Sequence, residues 1–108
     1  MNKVKITVLK TTFDKDIAEA NAKPGLGPCG RFKEGQVFYG GVNMPEGFCA
    51  TAWNCIYQYV FALANGAGEN GFFFDDWANK PRMAISCCND GLRPVIFKIE
   101  ATDIPDSI

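Results

Sequence analysis

The chain has no histidine among its 108 residues. That absence removes the side chain most used as a general base near neutral pH, the Ser-His-Asp and Cys-His arrangements of nucleophilic catalysis, and every mixed Cys/His zinc pattern. An excess of charge of either sign is also missing: eleven Lys and Arg stand against twelve Asp and Glu, a formal net charge of −1. Without a basic surplus there is nothing to neutralise a phosphate backbone or to hold an anionic bilayer, so neither nucleic acid nor a membrane is an expected partner. No apolar run approaches the roughly 20 residues that span a bilayer, and Met1 to Ile6 enters an alternating pattern with no signal-peptide core. The expected location is cytoplasmic. No Cys-x-x-Cys pair occurs, which excludes the zinc-ribbon, ferredoxin and thioredoxin patterns. The glycines lack the strand, turn and helix order of a nucleotide fingerprint and the lysine of a phosphate loop, and nucleotide binding is set aside.

What is present fits one small domain, residues 1–108. Val4, Ile6 and Val8 alternate with Lys3, Lys5 and Thr7, which predicts a half-buried strand over Lys3 to Lys10. Asp14 to Asn21 suits a short helix stopped before Pro24, and the stretch from Pro24 to Gly30 is too rich in glycine and proline for regular structure. A brief strand is expected over Gln36 to Tyr39. Ala52, Trp53, Ile56, Tyr57, Val60, Phe61 and Ala64 recur at three- and four-residue steps, the strongest helical pattern in the chain, ending near Asn65-Gly66. Gly66 to Pro81 reads as a loop carrying Phe72, Phe73, Phe74 and Trp77. Strands over Met83 to Cys87 and Val95 to Ala101, joined through a turn at Asn89-Asp90-Gly91, form a hairpin; Pro94 requires the last strand to begin there or to run along an edge. Thr102 to Ile108 reads as a frayed polar tail. The fold class expected is α+β, about four mostly antiparallel strands packed with one main helix and a short N-terminal helix.

Five cysteines are the most informative chemistry here. An odd number in a chain with no export signal favours free thiols or metal thiolates over a disulfide framework. Cys49 falls at the start of the long helix, where unpaired N–H groups and the positive end of the macrodipole stabilise a thiolate. Cys29 lies in the Gly-Pro loop. Cys87 and Cys88 end a strand at a turn, and departure from extended backbone there would let both point to one site. Cys55 is rotated by about 240° from Cys49 along a helix and is left out as a packed hydrophobe. Cys29, Cys49, Cys87 and Cys88 are therefore the expected ligands of an iron–sulfur cluster, [4Fe–4S] included, for electron transfer, cluster handling or redox sensing. A structural zinc or metal-free interaction module is the alternative, and a thiol enzyme with Cys49 as nucleophile is a third reading.

Val4-Lys5-Ile6-Thr7-Val8, Gly27-Pro28-Cys29, Phe32 to Gln36, Pro45 to Cys49, Ile56-Tyr57 and Cys87 to Val95 together resemble a family of uncharacterised proteins of about this length, found largely in anaerobic bacteria and archaea. The resemblance spans nearly the whole chain. It implies cysteine at the positions of Cys29, Cys49 and Cys87 or Cys88, often another residue at Cys55, and a setting that favours oxygen-sensitive iron–sulfur chemistry. The segment from Gly66 to Pro81 looks longer here than in that family.

Among the remaining candidates, Asp75-Asp76, Glu46 and Asp90 read first as solvated loop carboxylates, with roles as cation ligands or acid/base partners as the sharper options. Arg93 is expected to hydrogen-bond across the hairpin turn, with the balancing of negative thiolates as its other role. Phe72 to Trp77 reads as a satellite core under a long loop, or as a surface for self-association; a redox partner protein is the other expected contact.

Overall fold

Three β-branched side chains on alternate positions bury one face of the first strand, and the rest of the sheet is assembled on that face. The computed structural model describes residues 1–107, in the order β1 (Asn2–Thr11), α1 (Lys15–Asn21), β2 (Val37–Gly40), α2 (Ala50–Ala64), β3 (Met83–Cys87) and β4 (Val95–Pro105). The four strands form one antiparallel sheet in the order β2-β1-β4-β3, and the class is α+β. Ile6 stands opposite Ile99 of β4 and Phe38 of β2, and Val8 opposite Phe97. Leu9 is an extra residue between the Val8 and Lys10 pairings, a bulge that locally shifts the register.

The helix α2 lies across the face made by Val4, Ile6, Val8, Val95, Phe97 and Ile99, burying Ala52, Ile56, Val60, Leu63 and Ala64 against it. Trp53 and Tyr57 are only half-buried and Phe61 is half exposed; these three stack in series along one flank of the helix. The apolar stripe is thus narrower than the full set of apolar residues at helical spacing. At its C-terminus the helix closes with the paired bonds of a Schellman motif, Ala67 N–H to Ala62 O and Gly66 N–H to Leu63 O, with Gly66 at φ +91°. Arg82 donates to the carbonyls of Leu63 and Ala67 at the same end, where positive charge is favourable.

The expected strand boundaries hold to within a residue or two except at the C-terminus. Thr102 to Pro105 continue β4 instead of fraying: Asn2 pairs with Pro105, and Thr102 Oγ1 donates to Lys3 O at 2.6 Å. A polar segment joins the sheet because the ladder bonds of the backbone do not depend on apolar side chains. Ile108 lies outside the described residues. Pro94 precedes β4, which is a central strand, so its missing N–H falls outside the ladder. The aromatic run of the long loop divides. Phe72 packs on the core and Phe73 meets Tyr59, whereas Phe74 and Trp77 stack on each other at 4.8 Å and are 59% and 73% exposed.

Four phenylalanines knit the loops to the sheet. Phe48 lies 5.1 Å from Phe32, 5.0 Å from Phe38 and 5.4 Å from Phe97, ring centre to ring centre, and Phe32 lies 5.3 Å from Phe97. Phe32 and Phe48 belong to loops, and Phe38 and Phe97 to strands. Truncation of Phe48, which is 2% exposed, is expected to cost about 3–5 kcal/mol in urea unfolding of Phe48→Ala; a cost below about 1 kcal/mol would show that the rings are not a connected core.

Candidate functional site

Three segments meet at one end of α2 around a cavity of about 390 Å³. The first is the loop before β2, which supplies Cys29, Arg31 and Phe32; the second is the start of α2, with Cys49, Thr51 and Ala52; the third is the β3 to β4 connection, with Cys88, Asn89, Asp90, Arg93 and Val95. Each is held by specific bonds. In the first, Val8 of β1 accepts from Gly35 N–H at 2.7 Å and donates to Gln36 O at 2.8 Å, so the turn following Phe32 is clamped to the sheet. In the second, a turn from Pro45 to Phe48, closed at 3.2 Å, has Gly47 at φ +80°, a conformation that glycine alone adopts without strain. In the third, Asp90 Oδ1 accepts from the amides of Leu92 at 2.9 Å and Arg93 at 3.1 Å, while Oδ2 accepts from Arg93 Nε at 3.1 Å. Thr12 and Asp14 then fasten this connection to the end of β1 by donating to Pro94 O and Leu92 O.

Cys49 is the N-cap of α2, with φ −79° and ψ 124°, and its carbonyl receives the first helical bond from Trp53 N–H at 2.9 Å. Its sulfur stands 3.1 Å from Thr51 Oγ1, and the hydroxyl donates to it once the thiol is ionised. That hydroxyl bond is the main reason the Cys49 pKa is drawn below the ordinary thiol range; the Ala52 amide adds to it, partial burial opposes it, and the Thr51 amide and the Arg31 guanidinium act more weakly in the same direction as the hydroxyl. The amides act as converging dipoles, since no side-chain cap bond of regular geometry closes here.

Cys88 continues the hairpin ladder by one residue, its N–H donating to Val95 O at 3.2 Å while its sulfur accepts from Val95 N–H at 3.4 Å. Because that ladder persists, the strand alternation also persists. Cys87 pairs with Ile96, sits on the face of the sheet away from α2 and is exposed, so the two neighbouring cysteines do not share the cavity. Of the four thiols expected as ligands, the cavity is lined by Cys29, Cys49 and Cys88, and Cys87 lies outside it.

Cys55 does not line the cavity; it packs, partly buried, against the core. Burial raises the Cys55 pKa, and the charges of Cys88, Cys87 and Cys49 raise it further. Sequence reading did not single out Thr51 or Arg31; the signals were a hydroxyl two residues after a helix-start cysteine and a cation two residues after Cys29. Arg93 bonds within the turn as expected, to Asp90. Glu46 and the Asp75-Asp76 pair are exposed and outside this cavity.

No family model, curated protein or solved structure matches this chain.

The site is therefore read from its own chemistry. Three sulfurs are a suitable donor set for soft metals. Among the described residues, however, no three Cys, Asp or Glu side chains converge closely enough to hold a metal ion. The three sulfurs stand on separate walls of one cavity, each supplied by a different segment.

Asp90 gives a pH test of the wall it builds. Partial burial pushes its pKa up, but the bonds from the Leu92 and Arg93 amides and the Arg93 guanidinium outweigh that and hold it below the ordinary carboxylate range. A depressed carboxylate contributes stability that is present above its unfolded pKa and lost as pH falls through the folded one. In urea unfolding, Asp90→Ala is expected to lie about 1 kcal/mol below wild type at neutral pH. The gap should close on acidification below the carboxylate range, and a gap independent of pH would exclude the charged turn as its source.

Proposed function

We propose that this chain is a thiol-chemistry protein whose reactive group is the Cys49 thiolate, acting as a nucleophile on small molecules that enter the cavity. One observation carries this reading: Cys49 caps a fifteen-residue helix and opens into a cavity that also presents Cys29 and Cys88. The helix dipole and the Thr51 hydroxyl favour the ionised form of this sulfur, and ionisation is what makes a thiol a nucleophile. In the step proposed, a bond forms from Cys49 Sγ to an electrophilic carbon or sulfur, and the leaving group departs with the bonding electron pair. With no histidine in the chain, activation rests on stabilising the thiolate and not on a paired imidazole base.

An iron–sulfur or zinc role for Cys29, Cys49, Cys87 and Cys88 is the competing reading; Cys29, Cys49 and Cys88 line one cavity and Cys87 lies outside it. For partners, the exposed stack of Phe74 and Trp77 is the surface that self-association or a redox partner protein would use.

Alkylation decides the main reading. With site-resolved mass spectrometry, Cys49 is expected to label faster at pH 7 than the other four cysteines, with a rate midpoint at lower pH than that of glutathione. Thr51→Ala should move the midpoint upward, because it removes the principal stabilising bond. Labelling of Cys49 at the free-thiol rate would remove the basis of the proposal. Near-stoichiometric iron and acid-labile sulfide in protein purified without oxygen, lost in Cys49→Ser, would replace it with the cluster reading.

A further inference from the structure

We infer that the cavity at Cys49 selects small electrophiles that carry an oxyanion, such as a carboxylate, with Arg31 and Arg93 as the recognising groups; this rests on the thiolate reading above and names the substrate class for it. The inference comes from the charges lining the cavity. They are Arg31 and Arg93, which are positive, and Asp90, which is negative, with the Cys49 thiolate of the reading above as the second negative group. Asp90 is already committed, since its two oxygens accept from two backbone amides and from Arg93 Nε. It acts as a support that fixes one guanidinium at the cavity wall.

Both arginines are held by one edge only. Arg93 is bound through Nε, and its terminal nitrogens have no hydrogen-bond partner among the described residues. Arg31 uses Nη2 to donate to Phe48 O at 3.1 Å, the carbonyl immediately before Cys49, so its charge is tethered beside the nucleophile while its other nitrogens have no partner among the described residues. A guanidinium fixed at one edge presents its remaining N–H groups in a planar fork that matches a carboxylate or another oxyanion. The start of α2 adds a partial positive charge on the same side.

These features stand in a chain whose net charge is −1, so the cationic wall is a local arrangement and not a reflection of overall composition. A volume of about 390 Å³ is at the small end of small-molecule sites and suits a ligand of metabolite size. An anion bound at the arginines would lie beside Cys49 with its electrophilic atom available to the sulfur. The gain is in encounter and orientation, the two contributions that fixed charges and tethered geometry make to a reaction rate.

The test compares iodoacetate with iodoacetamide, which alkylate by the same displacement: a C–S bond forms, the C–I bond breaks, and iodide leaves with the electron pair. Because both reagents draw on the same thiolate population, the ratio of their rates at one cysteine cancels any change in the Cys49 pKa. At Cys49 the ratio of iodoacetate to iodoacetamide rates is expected to exceed the ratio for glutathione by about tenfold, the lower end of what electrostatic focusing supplies. Molar salt should bring it down, Arg31→Gln should reduce it several-fold, and Arg31→Lys should restore part of it. Circular dichroism of Arg31→Gln identical to wild type would show that the fold survives the change. Fast labelling by both reagents at the glutathione ratio overturns the anion selectivity and leaves the thiolate reading intact. Slow labelling of Cys49 by both overturns the thiolate reading and this inference together.

Discussion

The contact between the Phe32 and Phe48 rings and the strand residues Phe38 and Phe97 is the constraint on which the site depends. Neither the loop before β2 nor the turn before α2 has secondary structure to hold it. Each is a short polar and glycine-rich segment whose one large apolar side chain enters the core. Burial of a phenylalanine removes a large apolar area from water, and edge-to-face geometry fixes the ring orientation as well as its depth. Arg31 therefore leaves the core at Phe32, and Cys49 leaves it at Phe48. The third wall is held differently, by the carboxylate of Asp90 and the backbone bonds to Thr12 and Asp14. Apolar anchoring on two sides and polar anchoring on the third place a soluble, charged cavity at the rim of a dry core.

The same geometry explains why the cysteines differ so much in chemistry. Cys49 and Cys55 are six residues apart, yet one is drawn toward the thiolate and the other is held as a thiol. Cys49 faces a helix start, where dipoles converge and a hydroxyl donates. Cys55 lies farther along α2, packed against the core, where burial penalises charge and nearby sulfurs add repulsion. Ionisation is thus favoured at the start of α2 and opposed farther along it.

Much of the fold was legible in the residue pattern because its determinants are periodic. The alternation of Val4, Ile6 and Val8, and of Val95, Phe97 and Ile99, identified the two central strands, and the steps through Ala52, Ile56 and Val60 identified the helix that covers them. Cys29 and Cys49 were legible as site residues because loop composition and helix starts are local features. The rest depended on non-local bonds. Nothing in the chemistry of Thr102 to Pro105 reveals that Asn2 lies beside them. The different fates of Cys87 and Cys88 turn on a single ladder bond to Val95. Arg31 was not recognisable as part of the site without knowledge of where Phe48 comes to rest.

Consider finally where the sheet gets its centre. The two middle strands, β1 and β4, lie at opposite ends of the described chain, and the short β2 and β3 lie at the edges. Contacts of such long sequence separation carry a large loop-closure cost and slow folding. Until β1 and β4 pair, the sheet face that α2 covers is incomplete, so the helix gains its full apolar seat only once two strands far apart in sequence have met.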